Sequence, residues 1–309
     1  MIRSTGSRGG VGYEYLIGRM EVSSAQWLEF ANAALAREDP FYINLPISWG
    51  GERDPTYTGP GERYRLRNVA DAAMLPVGGI SWRESAYYCN WLHNDKNPAR
   101  TSFQDGAYDA STFNGTGFPT WTDQPTRHPE ARYFIPTWDE WLKAVHYDPN
   151  RTNGDGTTGG WWLQPNGTDI PLTYGLPPSF GGSPLNQSNA GVNTGQGIEF
   201  LVPLGAYANV VTPWGLLDAS GGSSEWTEGI FQTPFSMRRI YDGAARGASG
   251  FPDLDITYNE GGDFPGDRSI SYGLRIASSV PSTSVVINIS MSLIVFRTRR
   301  RRIKSCEVP

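Results

Sequence analysis

Apolar residues recur at helical spacing in three stretches of the chain, and each stretch begins with the same polar signal. A Ser or Thr that can cap a backbone N–H is followed three residues later by Gln or Glu, whose side chain can reach back. The pairs are Ser23 with Gln26, Ser81 with Glu84, and Thr137 with Glu140. Such reciprocal pairs are typical of helix N-termini. The apolar residues behind each pair share one face, which predicts three short amphipathic helices.

Between these helices the pattern indicates short strands and turns, for example strands within residues 13–20 and 131–135. Residues 150–197 are rich in Gly, Asn, Thr and Pro and lose all periodicity, which predicts a long irregular segment. This segment contains large aromatic side chains that a flexible linker would not need, so we expect it to be ordered. These are Trp161, Trp162, Tyr174 and Phe180.

Composition supports one loop-rich globular domain. The 309 residues include 37 Gly and 23 Pro, and 13% are aromatic, so many turns are combined with enough large side chains for a core. The net charge of −5 excludes a nucleic-acid partner as a class, because only the extreme C-terminus is basic. With only two cysteines, Cys89 and Cys306, a disulfide framework or a cysteine zinc site is excluded.

The two ends of the chain point to different compartments. Residues 1–12 are polar and glycine-rich and carry no signal peptide, which predicts a cytoplasmic protein unless an export signal precedes this start. Residues 277–296 are uncharged and are followed by a cluster of arginines. This order favours either a membrane anchor, for which the apolar run is short, or a terminal edge strand with a basic tail.

Four blocks and an ending carry a family resemblance. The blocks are YEYLIGRMEVSSAQWLEFANA, PVGGISWRESAYYCNWLHN, ARYFIPTWDEWLKAVHYDPN and TPWGLLDASGGSSEWTEGI, and the ending is YGLRIAS. In this order they resemble the formylglycine-generating enzyme (sulfatase-modifying factor) family. The resemblance implies a single α+β domain of the C-type-lectin-like kind, with short helices, small antiparallel sheets and much irregular structure.

The resemblance also implies domain boundaries. A flexible N-terminus of residues 1–12 would precede a domain of residues 13–278, and residues 279–309 would form an apolar segment and basic tail. This tail resembles a degenerate form of the C-terminal (PEP-CTERM) sorting tails of exported bacterial proteins, which makes the protein exported or membrane-attached if an N-terminal signal has been lost.

The chemistry of active family members rests on two cysteines that bind copper(I), in the segment after a Gly-Gly-Ser motif. The corresponding residues 238–260 contain no Cys, His or Met, so we expect no copper site and no catalytic residue. Cys89 lies on the apolar face of a predicted helix, where a cysteine behaves as a small hydrophobe. The alternative is an oxidoreductase that acts on a protein cysteine through an altered site.

A calcium site is implied by the loop at residues 218–225. In the family such a loop binds calcium through a side-chain oxygen, two main-chain carbonyls and a carboxylate, at places that Asp218, Gly221, Ser223 and Glu225 occupy. Hard oxygen ligands suit calcium. The alternative is a plain turn in which Asp218 caps backbone N–H groups. A second site would begin with Asn189 and the Ala190 carbonyl, but its expected acid has been replaced by a polar residue or displaced, near Gln196 and Glu199.

The leading functional hypothesis is a calcium-stabilised, non-catalytic module that binds a protein, a peptide or a glycan. Exposed aromatics favour recognition, and the candidate contact residues are Trp161, Trp162, Tyr258 and Phe264. Two weaker alternatives are a carboxylate hydrolase and a decayed gene product. The hydrolase would use the acids Asp253, Asp255, Glu260 and Asp263.

Overall fold

The computed structural model describes residues 8–115, 117, 121–247, 256 and 261–280, and the backbone of residues 293–295. Within these residues the helices are α1 (Ser24–Leu35), α2 (Trp82–His93), α3 (Thr101–Gln104) and α4 (Trp138–His146). Both halves of the predicted capping box are formed at the N-termini of α1, α2 and α4. The three predicted helices are therefore confirmed together with their starting residues.

Twelve short strands lie in the described part of the chain. They are β1 (Tyr15–Gly18), β2 (Gly51–Arg53), β3 (Tyr64–Leu66), β4 (Tyr133–Phe134), β5 (Tyr147–Thr152), β6 (Thr158–Trp161), β7 (Ser224–Thr233), β8 (Ser236–Asp242), β9 (Gly261–Asp263), β10 (Tyr272–Gly273), β11 (Ala277–Ser279) and β12 (Leu293–Val295). The strands expected within residues 13–20 and 131–135 are present as β1 and β4.

Two four-stranded sheets organise these strands, in the orders β12-β1-β11-β4 and β10-β7-β8-β9. The first sheet is antiparallel and pairs the start of the chain with its end, since Ile17 lies opposite Ala277. In the second sheet β10 pairs with β7 in parallel, while β7, β8 and β9 are antiparallel. Two further hairpins, β2-β3 and β5-β6, lie outside these sheets. The result is the expected α+β fold with small sheets.

One aromatic core joins the helices to the second sheet. Trp27 of α1 stacks on Tyr88 of α2 with ring centroids 5.3 Å apart. Indole N–H groups then connect the start of α2 to β7, because Trp82 of α2 donates to the Thr227 carbonyl, and Trp226 donates to the carbonyl of Ile80, just before the helix. All four side chains are buried. Buried indoles that find acceptors in this way fix the helix against the sheet.

The prediction that residues 150–197 are wholly irregular is wrong at its beginning. Strands β5 and β6 form a hairpin with a register shift, and the Trp161 ring packs 5.2 Å from that of Tyr147. The high glycine and asparagine content, which hid the periodicity, supplies the turn between the two strands. The remainder of the segment is ordered, with 3-10 turns at Pro178–Phe180 and, just beyond it, Ile198–Leu201.

Beyond residue 280, the C-terminal tail is described only at residues 293–295. These form β12, which pairs antiparallel with β1 at the edge of the first sheet. Among the described residues there is no helix with the length and apolar character needed to cross a membrane.

Candidate functional site: a groove beside the second hairpin

A surface groove of 430 Å³ opens where four distant parts of the chain meet. Its lining includes Ile47, Ser48, Trp49, Glu52, Arg67, Phe200 and Ile270. Concave sites with apolar walls and a few polar groups are the usual places for ligands. We call this feature the groove.

The β2-β3 hairpin and one bridge hold the groove in shape. Ser48 and Gly78 exchange two backbone hydrogen bonds of 2.9 and 2.7 Å. The Arg67 N–H donates to the Gly50 carbonyl at 2.7 Å, which fixes the backbone at the end of β3. Gly51 is required here because a Cβ on it would lie 2.3 Å from the Trp49 ring. The glycine lets the indole fold back against the hairpin.

Charges at the groove are unequally balanced. Glu52 is paired with Arg65, whose guanidinium lies 2.9 Å from the Glu52 carboxylate. Arg67 is half-buried, and its guanidinium donates to the Trp49 carbonyl at 3.5 Å. Among the described residues no carboxylate lies within ion-pair distance of Arg67. Within the described part of the chain, Arg67 is thus the charged lining residue without an ion-pair partner.

Behind Ser48 lies a fully buried arginine, Arg246. Its guanidinium donates to the Ser48 and Ser223 hydroxyls at 3.3 and 3.2 Å and lies 5.3 Å from the Phe200 ring centroid. Burial lowers the pKa of Arg246 to about 10, although Glu21 and Glu199 oppose that shift. Arg246 thus supports the groove from below through its contacts with Ser48 and Phe200.

The segment after β8 reaches the groove wall at Gly247. Gly247, at the described end of this segment, donates to the Val192 carbonyl, and a Cβ on it would lie 2.6 Å from the Phe200 ring. Cys89 is not available for thiol chemistry, because it is fully buried in α2 and burial raises the pKa of its thiol. Cys306 lies outside the described residues.

The loop predicted to bind calcium is held by protein groups. Asp218 has φ 55° and accepts a 2.7 Å hydrogen bond from the Gly205 N–H, while burial raises the pKa of its carboxyl to about 6. Both Glu225 oxygens contact the Arg275 guanidinium, at 2.7 to 3.0 Å, and one also accepts from the Trp141 indole.

Arg275 therefore already supplies the positive charge that the buried Glu225 carboxylate needs. A calcium ion bound by Glu225 does not fit this arrangement, because the carboxylate would have to turn away from the guanidinium. The structure describes no group of three or more His, Cys, Asp or Glu side chains suited to a metal within the parts it covers. Calcium at this loop stays a prediction, and the function proposed below does not depend on it.

The residues of the second predicted metal site are also engaged. The Asn189 side chain accepts from the Gly222 N–H at 3.0 Å and donates to the Glu199 carbonyl at 3.3 Å. The Glu199 carboxylate accepts from Thr194. Asn189 thus ties the 218–225 loop to the preceding segment, and Ala190 is buried beside it.

The predicted aromatic contact residues do not line the groove. Trp161 packs on the core, and Trp162 lies under Arg151, 3.9 Å from its guanidinium, with its N–H on Asp148. Phe264 lies beneath Arg238, with 5.4 Å between guanidinium and ring. Tyr258 lies outside the described residues. Their role in binding stays a prediction.

The hydrolase alternative falls largely outside the described residues, which exclude Asp253, Asp255 and Glu260. Asp263 is described and accepts from the Tyr272 hydroxyl at 2.8 Å.

The groove residues could not be found from the sequence, because they belong to four separated segments of the chain. One local signal was present, since Trp49 is followed directly by Gly50 and Gly51. A Gly pair after an aromatic residue between two helices indicates a close backbone approach.

Short capped helices around small sheets, with one groove at a loop-rich face, define an α+β domain of the C-type-lectin-like class. Residues 11–280 match the family model of the sulfatase-modifying factor enzyme 1-like domain, and the chain belongs to this family.

Three solved structures are similar to this chain at low sequence identity. The crystal structure of CarF is 18% identical with a TM-score of 0.50, and the alignment covers 86% of this chain and 87% of CarF. Treponema denticola variable protein 1 is 16% identical with a TM-score of 0.47, covering 85% and 84% of the two chains. PvdO from Pseudomonas aeruginosa is 14% identical with a TM-score of 0.44, covering 86% and 80%. A search of curated proteins found no significant match.

Proposed function

We propose that this domain is a non-catalytic member of its family that binds a protein segment in the groove. The observation that carries the proposal is the composition of residues 238–260. The family resemblance implies that this segment supplies the thiols of active members; here it contains none, and Gly247, at its described end, packs against Phe200 in the groove wall. This supports a groove that binds a ligand beside a segment without the residues that copper(I) oxidation needs.

Thiol chemistry needs an accessible thiolate, and this requirement argues against the oxidoreductase alternative. Cys89 is fully buried among apolar groups, and burial keeps its thiol protonated. Residues that could replace the missing copper ligands would have to be Cys, His or Met, and residues 238–260 have none of these.

The groove walls favour a peptide over a glycan. Trp49 is only 8% exposed, and Phe200 is covered on one side by Arg246, so neither offers a broad free ring face on which a sugar could stack. The accessible apolar surface is aliphatic, with Ile47 53% exposed and Ile270 37% exposed. Aliphatic walls suit the side chains of an extended peptide.

The test is capture of peptides from a displayed random library. Binding of the selected peptides is then compared between the wild type and two variants that carry the same Ile→Asp substitution at different places. Ile47→Asp places a charge in the groove, whereas Ile170→Asp places the same charge at an exposed isoleucine that does not line it. We expect selected peptides to bind the wild type and Ile170→Asp equally and to lose at least tenfold in affinity for Ile47→Asp. Binding that Ile47→Asp leaves unchanged would contradict a role for the groove.

The non-catalytic part has a separate test. Anaerobic titration with copper(I) should show no tight stoichiometric site. In a second assay in air, the copper-treated protein should consume no oxygen when a cysteine peptide is added. Tight copper binding with oxygen-dependent turnover would establish the oxidoreductase alternative instead.

A further inference from the structure

Arg67 is distinguished from the neighbouring arginines by its surroundings. Arg53 and Arg65 lie on the same hairpin, and their guanidinium groups are paired with Glu62 and Glu52. Arg67 is half-buried in the groove lining and has no such partner among the described residues. A guanidinium offers five donors in a fixed plane, and the one contact to the Trp49 carbonyl, at 3.5 Å, uses little of this capacity.

The other charged groups near the groove leave this charge unbalanced. Glu52 is the one acid among the described lining residues, and Arg65 holds it. Arg246 lies behind Ser48, and Glu21 and Glu199 interact with it electrostatically. Among the described lining residues Arg67 is thus the charged side chain without an ion-pair partner, and its guanidinium attracts an anionic group.

The aliphatic side chains beside Arg67 complete a two-part site. Ile47 and Ile270 both line the groove and expose 53% and 37% of their surface. When a ligand covers two half-exposed isoleucines in one concave surface, the burial of their apolar surface makes the free energy of binding more favourable. A charged group and an apolar group of the ligand would thus be bound side by side.

We infer that the groove recognises a peptide segment in which a carboxylate is adjacent to an aliphatic side chain, with Arg67 binding the carboxylate and Ile47 and Ile270 the aliphatic group. This inference rests on the proposed function and specifies its ligand. The carboxylate can belong to an Asp or Glu side chain or to a peptide C-terminus, because a guanidinium pairs with each in the same bidentate way.

The protein side of the test uses two charge reversals on the same hairpin. Arg67→Glu reverses the charge in the groove. Arg63→Glu makes the same change at an exposed arginine next to Tyr57 that does not line the groove. For library-selected peptides we expect Arg67→Glu to weaken binding at least tenfold and Arg63→Glu less than twofold. Equal effects would overturn the inference, and thermal unfolding of both variants checks that each is folded.

The ligand side uses a double-mutant cycle. A selected peptide is compared with versions in which Asp or Glu becomes the amide or the C-terminus is amidated, which also tells the two carboxylate sources apart. Removing the carboxylate that Arg67 binds should weaken peptide binding to the wild type about tenfold and leave binding to Arg67→Ala unchanged.

Two results separate the inference from the proposed function. Selected peptides that lack a carboxylate but still depend on Ile47 would overturn the inference and leave peptide binding in the groove intact. Binding to a glycan array that depends on Ile47, with no peptide captured, would overturn both.

Discussion

At the scale of single residues, the buried ion pair of Glu225 and Arg275 is central to the 218–225 loop. Both side chains are inaccessible to solvent, and the Arg275 guanidinium also donates to the Gly18 and Leu217 carbonyls at 2.9 Å. The same arginine therefore ties β1, the loop and β7 together. Removing one partner of such a pair leaves the other charge buried and alone.

We accordingly expect Arg275→Ala to lower the free energy of unfolding by about 3–5 kcal/mol, as measured by urea denaturation. The control is Arg132→Ala, which removes an exposed pair with Asp95 and should cost less than about 1 kcal/mol. Similar losses in the two variants would show that Arg275 does not carry this role.

Calcium is tested at the same residues. If the loop binds calcium as the family resemblance implies, adding calcium to chelator-treated protein raises the unfolding temperature, and Asp218→Ala abolishes the effect. The geometry predicts a small response, because Arg275 neutralises Glu225 in the absence of metal. A large calcium-dependent stabilisation that Asp218→Ala removes would show that Glu225 leaves Arg275 to bind the ion.

Glu228 gives a prediction about pH. Burial raises the pKa of its carboxyl above the ordinary value of about 4.3, although Arg127 acts in the opposite direction. The folded state therefore holds this proton more tightly than the unfolded state, so the contribution of Glu228 to stability decreases as pH rises through the folded pKa. Glu228→Gln should flatten the pH dependence of unfolding above about pH 4.3. An unchanged slope would contradict the assignment.

At the scale of elements, the helices could be predicted from sequence because their signals are local. In each of α1, α2 and α4 the two residues of the capping box are three positions apart in the sequence. All three predicted pairs are present. The sheets could be predicted only as isolated strands, because β1 pairs with β11 more than two hundred residues away. The hairpin of β5 and β6 was hidden by its glycines, which serve the turn rather than the apolar pattern.

The cap of α4 can be tested in isolation. Thr137→Ala removes the hydroxyl that accepts from the Glu140 N–H at 3.1 Å, and we expect it to cost about 1 kcal/mol of stability. Thr137→Ser keeps the acceptor and should cost much less. A loss for Ser equal to that for Ala would show that the methyl group, not the cap, matters.

At the scale of the whole molecule, the family could be recognised from ordered blocks of sequence, whereas the groove could not. Its lining comes from the segment before β2, the end of β3, a 3-10 turn and the loop before β10, and no local pattern links these. The predicted metal-binding and aromatic residues lie in segments with strong local signals, but protein contacts occupy most of them. That Arg67 has no ion-pair partner among the described residues becomes visible only when its neighbours are placed.

The most direct test of the central claim is hydrogen–deuterium exchange of the domain with and without a library-selected peptide. We expect slower exchange in residues 46–52 and around Arg67 and Ile270, which form the groove, and no change in the β5-β6 hairpin. Protection confined to the β5-β6 hairpin and the neighbouring Trp162 would place binding at these aromatic residues. That result would contradict the groove as the binding site.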